Sequence, residues 1–418
     1  METLNSTCVI SGGGPAGMML GLILARNGVE VVVVEKHADF FRDFRGDTIH
    51  PSTVGVLGEL GLRERFLGLP HTGIRALDVV VNGNRLHPID FRRLGAPNDF
   101  LVLAPQWDFL TFLAEEARQH PNFRLLMQTE ATALLHEAGA VRGIVARGPD
   151  GDLEIRGRLV VAADGRASAL RQQAGLRPRR FGVPIDVLWF RLPKPGDLPP
   201  HTLAYVGGGG MVVTIERQDY VQVGLIIRKG GFGELHDAGL EAFRKAVTGA
   251  APHLKTALES ITDWEEIKLL SVQIDRLPRW FRHGFLAIGD AAHAMSPAFG
   301  VGVNYAVQDA VATANALTET LRELGPVDAR GTGPVGDVDL RLLEGIQRRR
   351  MPAVAGMQRI QLAAHRFISR PEGVRLLPEP MPAPQRAALA AVTPGMQWMS
   401  SRLIGRGLRP ESVAPELR

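Results

Sequence analysis

The chain has 418 residues, of which 45% are hydrophobic and 22% charged; this balance excludes a disordered or fibrous protein and suffices for two or three packed domains. A formal charge of +4 and a pI near 9.5 come from scattered arginines without a basic stripe interleaved with aromatics, which speaks against a nucleic-acid partner. The single cysteine, Cys8, rules out an internal disulfide, a Cys-based zinc site and a protein dithiol, and points to a cytoplasmic setting.

The stretch from Cys8 to Ala25 carries no charge. It is neither a signal peptide nor a membrane span, because Glu2 is the only charge ahead of it and Gly12-Gly13-Gly14-Pro15 would break such a helix early. Instead, Thr7 to Ser11 reads as a strand, and Gly12, Gly14 and Gly17 fit G-x-G-x-x-G before a helical pattern that Gly28 ends. Val29 to Val34 is a second strand, finishing at Glu35. Strand, glycines, helix, strand and acid together form a dinucleotide fingerprint. Gly12 allows the tight turn, Gly14 a close approach of backbone N–H groups to a pyrophosphate, and Gly17 close helix-to-strand packing. A carboxylate at Glu35 suits a ribose diol, hence FAD or NAD rather than NADP as the resident nucleotide.

Next come Arg42, Arg45 and Gly46, then a helix from Pro51 to Leu60. Arg45 suits either a cofactor phosphate or a surface ion pair. Ile74 to Ile89 alternates around Asn82-Gly83-Asn84, a hairpin signal. Gln106 opens an amphipathic helix, and four short strands between Phe123 and Ile155 follow as an antiparallel excursion. Leu159 to Ala163 is a buried strand ending in Asp164-Gly165, where open α/β sheets bind ligands; Asp164 is equally suited to cap a helix. The arginine clusters at Arg177 to Arg180 and Arg348 to Arg350 read as solvated faces, with attraction of an anionic nucleotide as the sharper alternative.

From Phe181 to Ile274 alternating strands dominate, with one helical pattern at Leu240 to Val247. The chain then returns to a buried strand, Phe285 to Ile288, followed by Gly289-Asp290, a loop with Pro297, and Gly300-Val301-Gly302 ahead of a long helix. A strand-end acid beside a glycine-gated helix N-terminus can hold a cofactor by its hydroxyls and by its negative charge. Residues 338 to 371 continue as helix, and the last forty or so, rich in Pro and Arg, are expected to form a helical cover.

Taken together, the Gly12 fingerprint with Glu35, the Asp164-Gly165 strand end and the Gly289-Asp290 loop resemble the flavin-dependent aromatic hydroxylases of the para-hydroxybenzoate hydroxylase type, the group A FAD monooxygenases. The likeness covers about residues 5 to 365. It implies an α/β fold: a Rossmann-like FAD-binding domain (residues 1–70, 101–176 and 277–330), an inserted β-rich substrate domain (71–100 and 177–276) and C-terminal helices (331–418). By the same resemblance, Gly12, Gly14 and Gly17 hold the FAD pyrophosphate and Glu35 the adenosine ribose. Arg45 and Gln106 contact the cofactor, Asp164 and Gly165 serve FAD and NAD(P)H, and Gly289 and Asp290 anchor the ribityl chain. Pro297, Gly300, Gly302, Val303 and Asn304 then line the isoalloxazine ring. Ser296, where a second proline is common, and Phe299, where a glycine often sits, depart from the pattern.

The implied activity is reduction of FAD by NADH or NADPH, then reaction with molecular oxygen and transfer of one oxygen atom, via a flavin hydroperoxide, to an electron-rich small molecule, aromatic or polyketide-like. His50, Tyr205 and His293 are conceivable proton handlers, but packed residues by default, and no catalytic residue is nominated. Among alternatives on this scaffold, the Trp-x-Trp-x-Ile-Pro motif of flavin halogenases and the Cys pair of disulfide reductases are absent. An FAD-binding protein without oxygenase activity, a non-redox cyclase or a redox-sensitive interaction protein, is the reading from another class.

Overall fold

The computed structural model describes residues 2–41, 48–196, 202–208, 210–217, 219–327, 337–368, 378 and 381–418. Its centre is a six-stranded sheet in the order Phe281–Arg282, Phe285–Ala287, Leu159–Ala162, Cys8–Ser11, Val31–Val34, Phe123–Leu126. All but the first strand run parallel to their neighbours. Three of these strands read as unbroken apolar runs, and Cys8–Ser11 is broken only at its last residue, because both their faces are covered. On one side lie the helices Pro15–Arg26, Gln106–Arg118 and Gly302–Leu324. On the other, a four-stranded sheet packs through Ala140–Gly148 onto Leu159–Ala162.

That smaller sheet contains an unforeseen strand, Glu2–Asn5, paired parallel with Gly151–Arg156. It is short and largely exposed, so no hydrophobic alternation announces it. Its partner lies far along the chain.

A second, seven-stranded sheet runs Lys268–Leu270, Ile185–Pro193, Tyr220–Arg228, Gly210–Glu216, Thr202–Gly207, Ala76–Val81, Asn84–Asp90. It joins two distant stretches of sequence through the parallel pairing of Thr202–Gly207 with Ala76–Val81. One face is sealed by the helix Leu240–Ala250, against which Tyr205, Val212, Leu225 and Leu188 are buried. The opposite face is apolar and only half-buried at Val79, Val81, Val206, Met211, Val213 and Ile226.

The C-terminal stretch is not a uniform helical cover. The helix Ala383–Ser401 lies along the edge strand Asn84–Asp90, where the Ser401 hydroxyl donates to Asp90 O (2.7 Å) and accepts from Asp90 N (3.0 Å). After it the chain turns back at Gly407 (φ 80°) into the central core, burying Ile404, Val413 and Leu417. Glycines and prolines at Gly405, Gly407, Pro410 and Pro415 prevent a continuous helix there. Among the described residues no helix is long and apolar enough to cross a membrane.

Candidate cofactor site at the strand ends

The first glycine motif is shaped by backbone crowding. Gly12 has φ 108°, and a Cβ there would stand 2.4 Å from Ala163 O. At Gly17 a Cβ would stand 2.0 Å from Gly12 O. Around Gly14, by contrast, nothing lies within 4 Å. The helix behind it starts at Pro15 with no side-chain cap and no acid in its first turn. Its first N–H groups therefore have no side-chain cap, the arrangement that receives a phosphate. Glu35, at the end of the neighbouring strand, accepts from Gly13 N (2.9 Å) and His37 N (3.1 Å), which fixes its carboxylate beside the turn.

The second and third motifs close on the first. Ile288 N donates to Ala162 O (3.0 Å), extending the pairing of the two strands to their ends. Gly289 (φ 58°) sits so near the fingerprint helix and the long helix that a Cβ would stand 3.1 Å from Ala16 Cβ and 3.4 Å from Ala306 Cβ. Asp290 Oδ2 accepts from Arg166 Nε at 3.0 Å, both side chains about a third exposed. The buried Arg171 ties the same two loops together, donating to Ala291 O (2.9 Å) and Arg166 O. Asp164 does not cap the helix that follows; the Ser168 hydroxyl does, accepting from Arg171 N at 3.1 Å. Burial pushes the Asp164 carboxyl above its ordinary range, and its buried Oδ1 has no hydrogen-bond partner. Gly165 takes φ 84° with open space at its Cβ position.

The loop from Pro297 forms a single tight turn, Ala298–Gly300. Gly300 (φ 62°) is pressed so close to Thr48 that a Cβ would meet its hydroxyl at 2.4 Å, and that hydroxyl donates to Gly300 O (3.0 Å). Gly302 opens the helix Gly302–Leu324, again with no side-chain cap, no first-turn acid and open space at its Cβ. Val303 is buried. Asn304 faces inward as a brace: its Oδ1 accepts from His50 N (2.9 Å) and the Thr53 hydroxyl (2.6 Å). Gln106 begins its helix half-buried, with its side chain free of protein partners among the described residues. Arg45 lies outside the described residues.

Behind the Gly289 loop stands a buried charge network that local patterning did not expose. Asp309 Oδ2 accepts from Gly289 N (3.0 Å) and meets His293 Nε2 at 2.6 Å; its Oδ1 accepts from Arg350 Nε at 2.9 Å. Arg350 reaches on to Glu411 Oε1 (3.3 Å) in the C-terminal tail, whose Oε2 accepts from Arg349 Nε (2.6 Å). His293, Asp309, Arg350 and Glu411 side chains are all at most 1% exposed. Burial raises the Asp309 carboxyl, but the charge and hydrogen bond of His293, with those of Arg350, outweigh it and leave the group below the ordinary range. The reading of Arg348 to Arg350 as a solvated face is therefore corrected at Arg350: the carboxylates that neutralise it arrive from residues far apart in sequence.

The other candidate proton handlers are packed. His50 is fully buried with Nδ1 2.7 Å from Ile404 O, and burial lowers its pKa to about 4. Tyr205 packs on His253, ring centroids 4.5 Å apart and planes tilted by 46°, on the sealed face of the large sheet.

Glycine-gated helix starts and strand-end carboxylates on a parallel sheet, with a second sheet inserted, define the class: a dinucleotide-binding α/β protein with a β-rich insert. Residues 5–329 match the family model described as FAD binding domain. The 6-methylpretetramide 4-monooxygenase of Streptomyces rimosus is 34% identical over 366 residues, covering 86% of this chain and 84% of that protein. Similar solved structures include the anhydrotetracycline hydroxylase OxyS of Streptomyces rimosus (TM-score 0.73, 21% identity, 96% of this chain and 75% of that one). Another is PqsL of Pseudomonas aeruginosa in complex with 2-aminobenzoylacetate (TM-score 0.73, 22% identity, 88% and 98%). The chain belongs to the FAD-binding family of group A flavin monooxygenases and is an FAD-dependent oxidoreductase.

Proposed function

We propose that the three strand ends form the FAD site of a monooxygenase acting on an electron-rich aromatic or polyketide-like molecule, with NADH or NADPH as reductant and molecular oxygen as co-substrate. The observation that carries this is the convergence, at one end of the parallel strands, of two uncapped helix N-termini, behind Gly14 and Gly302, with Glu35, Asp164 and Asp290. The residues fit the cofactor in charge and space. The open N–H groups after Gly14 would hold the pyrophosphate, and Glu35 the ribose diol. Asp290, with Asp164 nearby, would accept from ribityl hydroxyls. Gln106, Arg45, Gly165 and Gly289 would complete the cradle. Bound there, FAD supplies the electron transfer and oxygen activation that no side chain offers.

The chain's own part is positional. Pro297, Gly300, Gly302, Val303 and Asn304 would shape the ring pocket, and the N-terminus of Gly302–Leu324 would stabilise negative charge on the reduced ring without reorganising. The half-buried face carrying Val79, Val206, Met211 and Ile226 would receive the substrate and exclude water from the reacting centre. On this reading residues 1–70, 101–176 and 277–330 make up the cofactor domain, and 71–100 and 177–276 the substrate domain.

Purified protein is expected to be yellow and to release FAD on denaturation; a colourless protein that takes up no added FAD defeats the reading. Given FAD, an accepted aromatic should accelerate NAD(P)H oxidation and gain one atom from isotopically labelled oxygen gas. If no compound of a broad phenol and polyketide panel does either, the non-oxygenating alternative gains.

A further inference from the structure

Phe299 is the one residue of the Pro297 loop whose backbone contradicts its side chain. It holds φ 68° and ψ −1°, the left-handed region that glycine occupies freely and a bulky residue does not. Such a conformation persists only where its surroundings over-determine it. Here they do. Gln361, on the helix Leu340–Ile368, accepts from Ser296 N (3.2 Å) and donates to Ser296 O (3.0 Å) and Ala298 O (2.9 Å). The Ser296 hydroxyl accepts from Ala298 N (3.1 Å) and meets His365 Nε2 at 2.7 Å, and burial keeps that imidazole neutral, with a pKa of about 4. A proline at 296 would offer neither the N–H nor the hydroxyl. All these anchors hold backbone or Ser296; none requires an aromatic ring at 299.

The ring itself is only partly buried. It packs against the central core and against the cluster of Ile74, Phe91, Leu101 and Ile404; Leu77, the second residue of the strand that carries Val79 and Val81 on the half-open face of the large sheet, packs on that same cluster. The strained position thus delivers an aromatic surface to the corner between the loop and that face. Backbone strain of this kind clusters at ligand clamps and active sites.

We propose that Phe299 is a substrate-binding residue that stacks on a planar aromatic substrate lying along the half-open face. This rests on the monooxygenase reading above. The test compares Phe299→Gly and Phe299→Leu with the unaltered FAD-loaded protein, titrating emodin, a three-ring hydroxyanthraquinone, and following the absorption of bound FAD. Phe299→Gly should retain FAD and melt at an equal or higher temperature, because the strain is gone, yet bind emodin about tenfold more weakly, the size of one lost aromatic stack. Phe299→Leu keeps the strained backbone and should also lose emodin affinity. Unchanged emodin affinity in Phe299→Gly overturns the proposal. So does a lower melting temperature with loss of FAD, which would make the ring a structural plug, and so does an unaltered, FAD-loaded protein that binds no emodin. Absence of FAD itself would sink the monooxygenase reading instead.

Discussion

The helix starts at Pro15 and at Gly302 do the same physical job by opposite routes. At Pro15 the turn is built mostly from its own strand-helix-strand unit: Gly17 against Gly12 O, Glu35 accepting from Gly13 N, with Ala163 O, just past the neighbouring strand, as a wall distant in sequence. At Gly302 the turn is held from afar. Thr48 and His50 grip it from one side and Gln361 and His365 from the helix Leu340–Ile368, while Asp309, with Arg350 and Glu411, ties the helix itself to the Gly289 loop. A locally built site is as stable as its strand; a remotely braced one depends on every element that reaches it.

Substitutions can break this contrast. The largest effect is expected for Arg350→Met, which leaves Asp309 buried with His293 and frees Glu411 from its buried partner; it should cost about 3–5 kcal/mol by denaturant unfolding. A loss under about 1 kcal/mol would show that the remote brace is dispensable. Gly17→Ala forces a Cβ into Gly12 O and should cost about 3 kcal/mol and abolish FAD retention. Normal stability there would mean that the first turn is looser than its geometry.

Acid should undo the braced region first. His50 and His365 are neutral in the fold, with pKa values of about 4, whereas the unfolded chain takes up those protons near 6.5. Both groups therefore bind protons less readily when folded, and stability should fall as pH drops from about 6.5 to about 4. A melting temperature flat across that window would remove them as contributors. Asp309, held low, adds a loss only at still lower pH, below the ordinary carboxylate range. Gly14→Ala is expected to be the mildest for the fold, within about 0.5 kcal/mol, because its Cβ meets nothing, yet FAD should be held more weakly. Undiminished FAD affinity would separate Gly14 from the cofactor site.

The same contrast explains what reading the residues in order reveals. Gly12, Gly14, Gly17 and Glu35, and the strand ends at Asp164 and Asp290, are visible because their spacing is the strand-to-turn geometry itself. Ser296 and Phe299 show in sequence only as departures, since the reason for Ser296 is a glutamine and a histidine 65 and 69 residues on. Arg350 looked like part of a surface run because nothing near it in sequence announces Asp309 or Glu411.

The sequence by itself determined the buried parallel strands, the glycine-gated helix starts and the cofactor class, because these depend on local periodicity and on residues that only one backbone shape accepts. Tertiary structure decided which strands share the large sheet, which of its faces stays open, how the tail returns to brace the Gly289 loop, and why a phenylalanine occupies a left-handed position. Those outcomes depend on which distant side chains meet, and the free energy of such a meeting is written in neither partner alone.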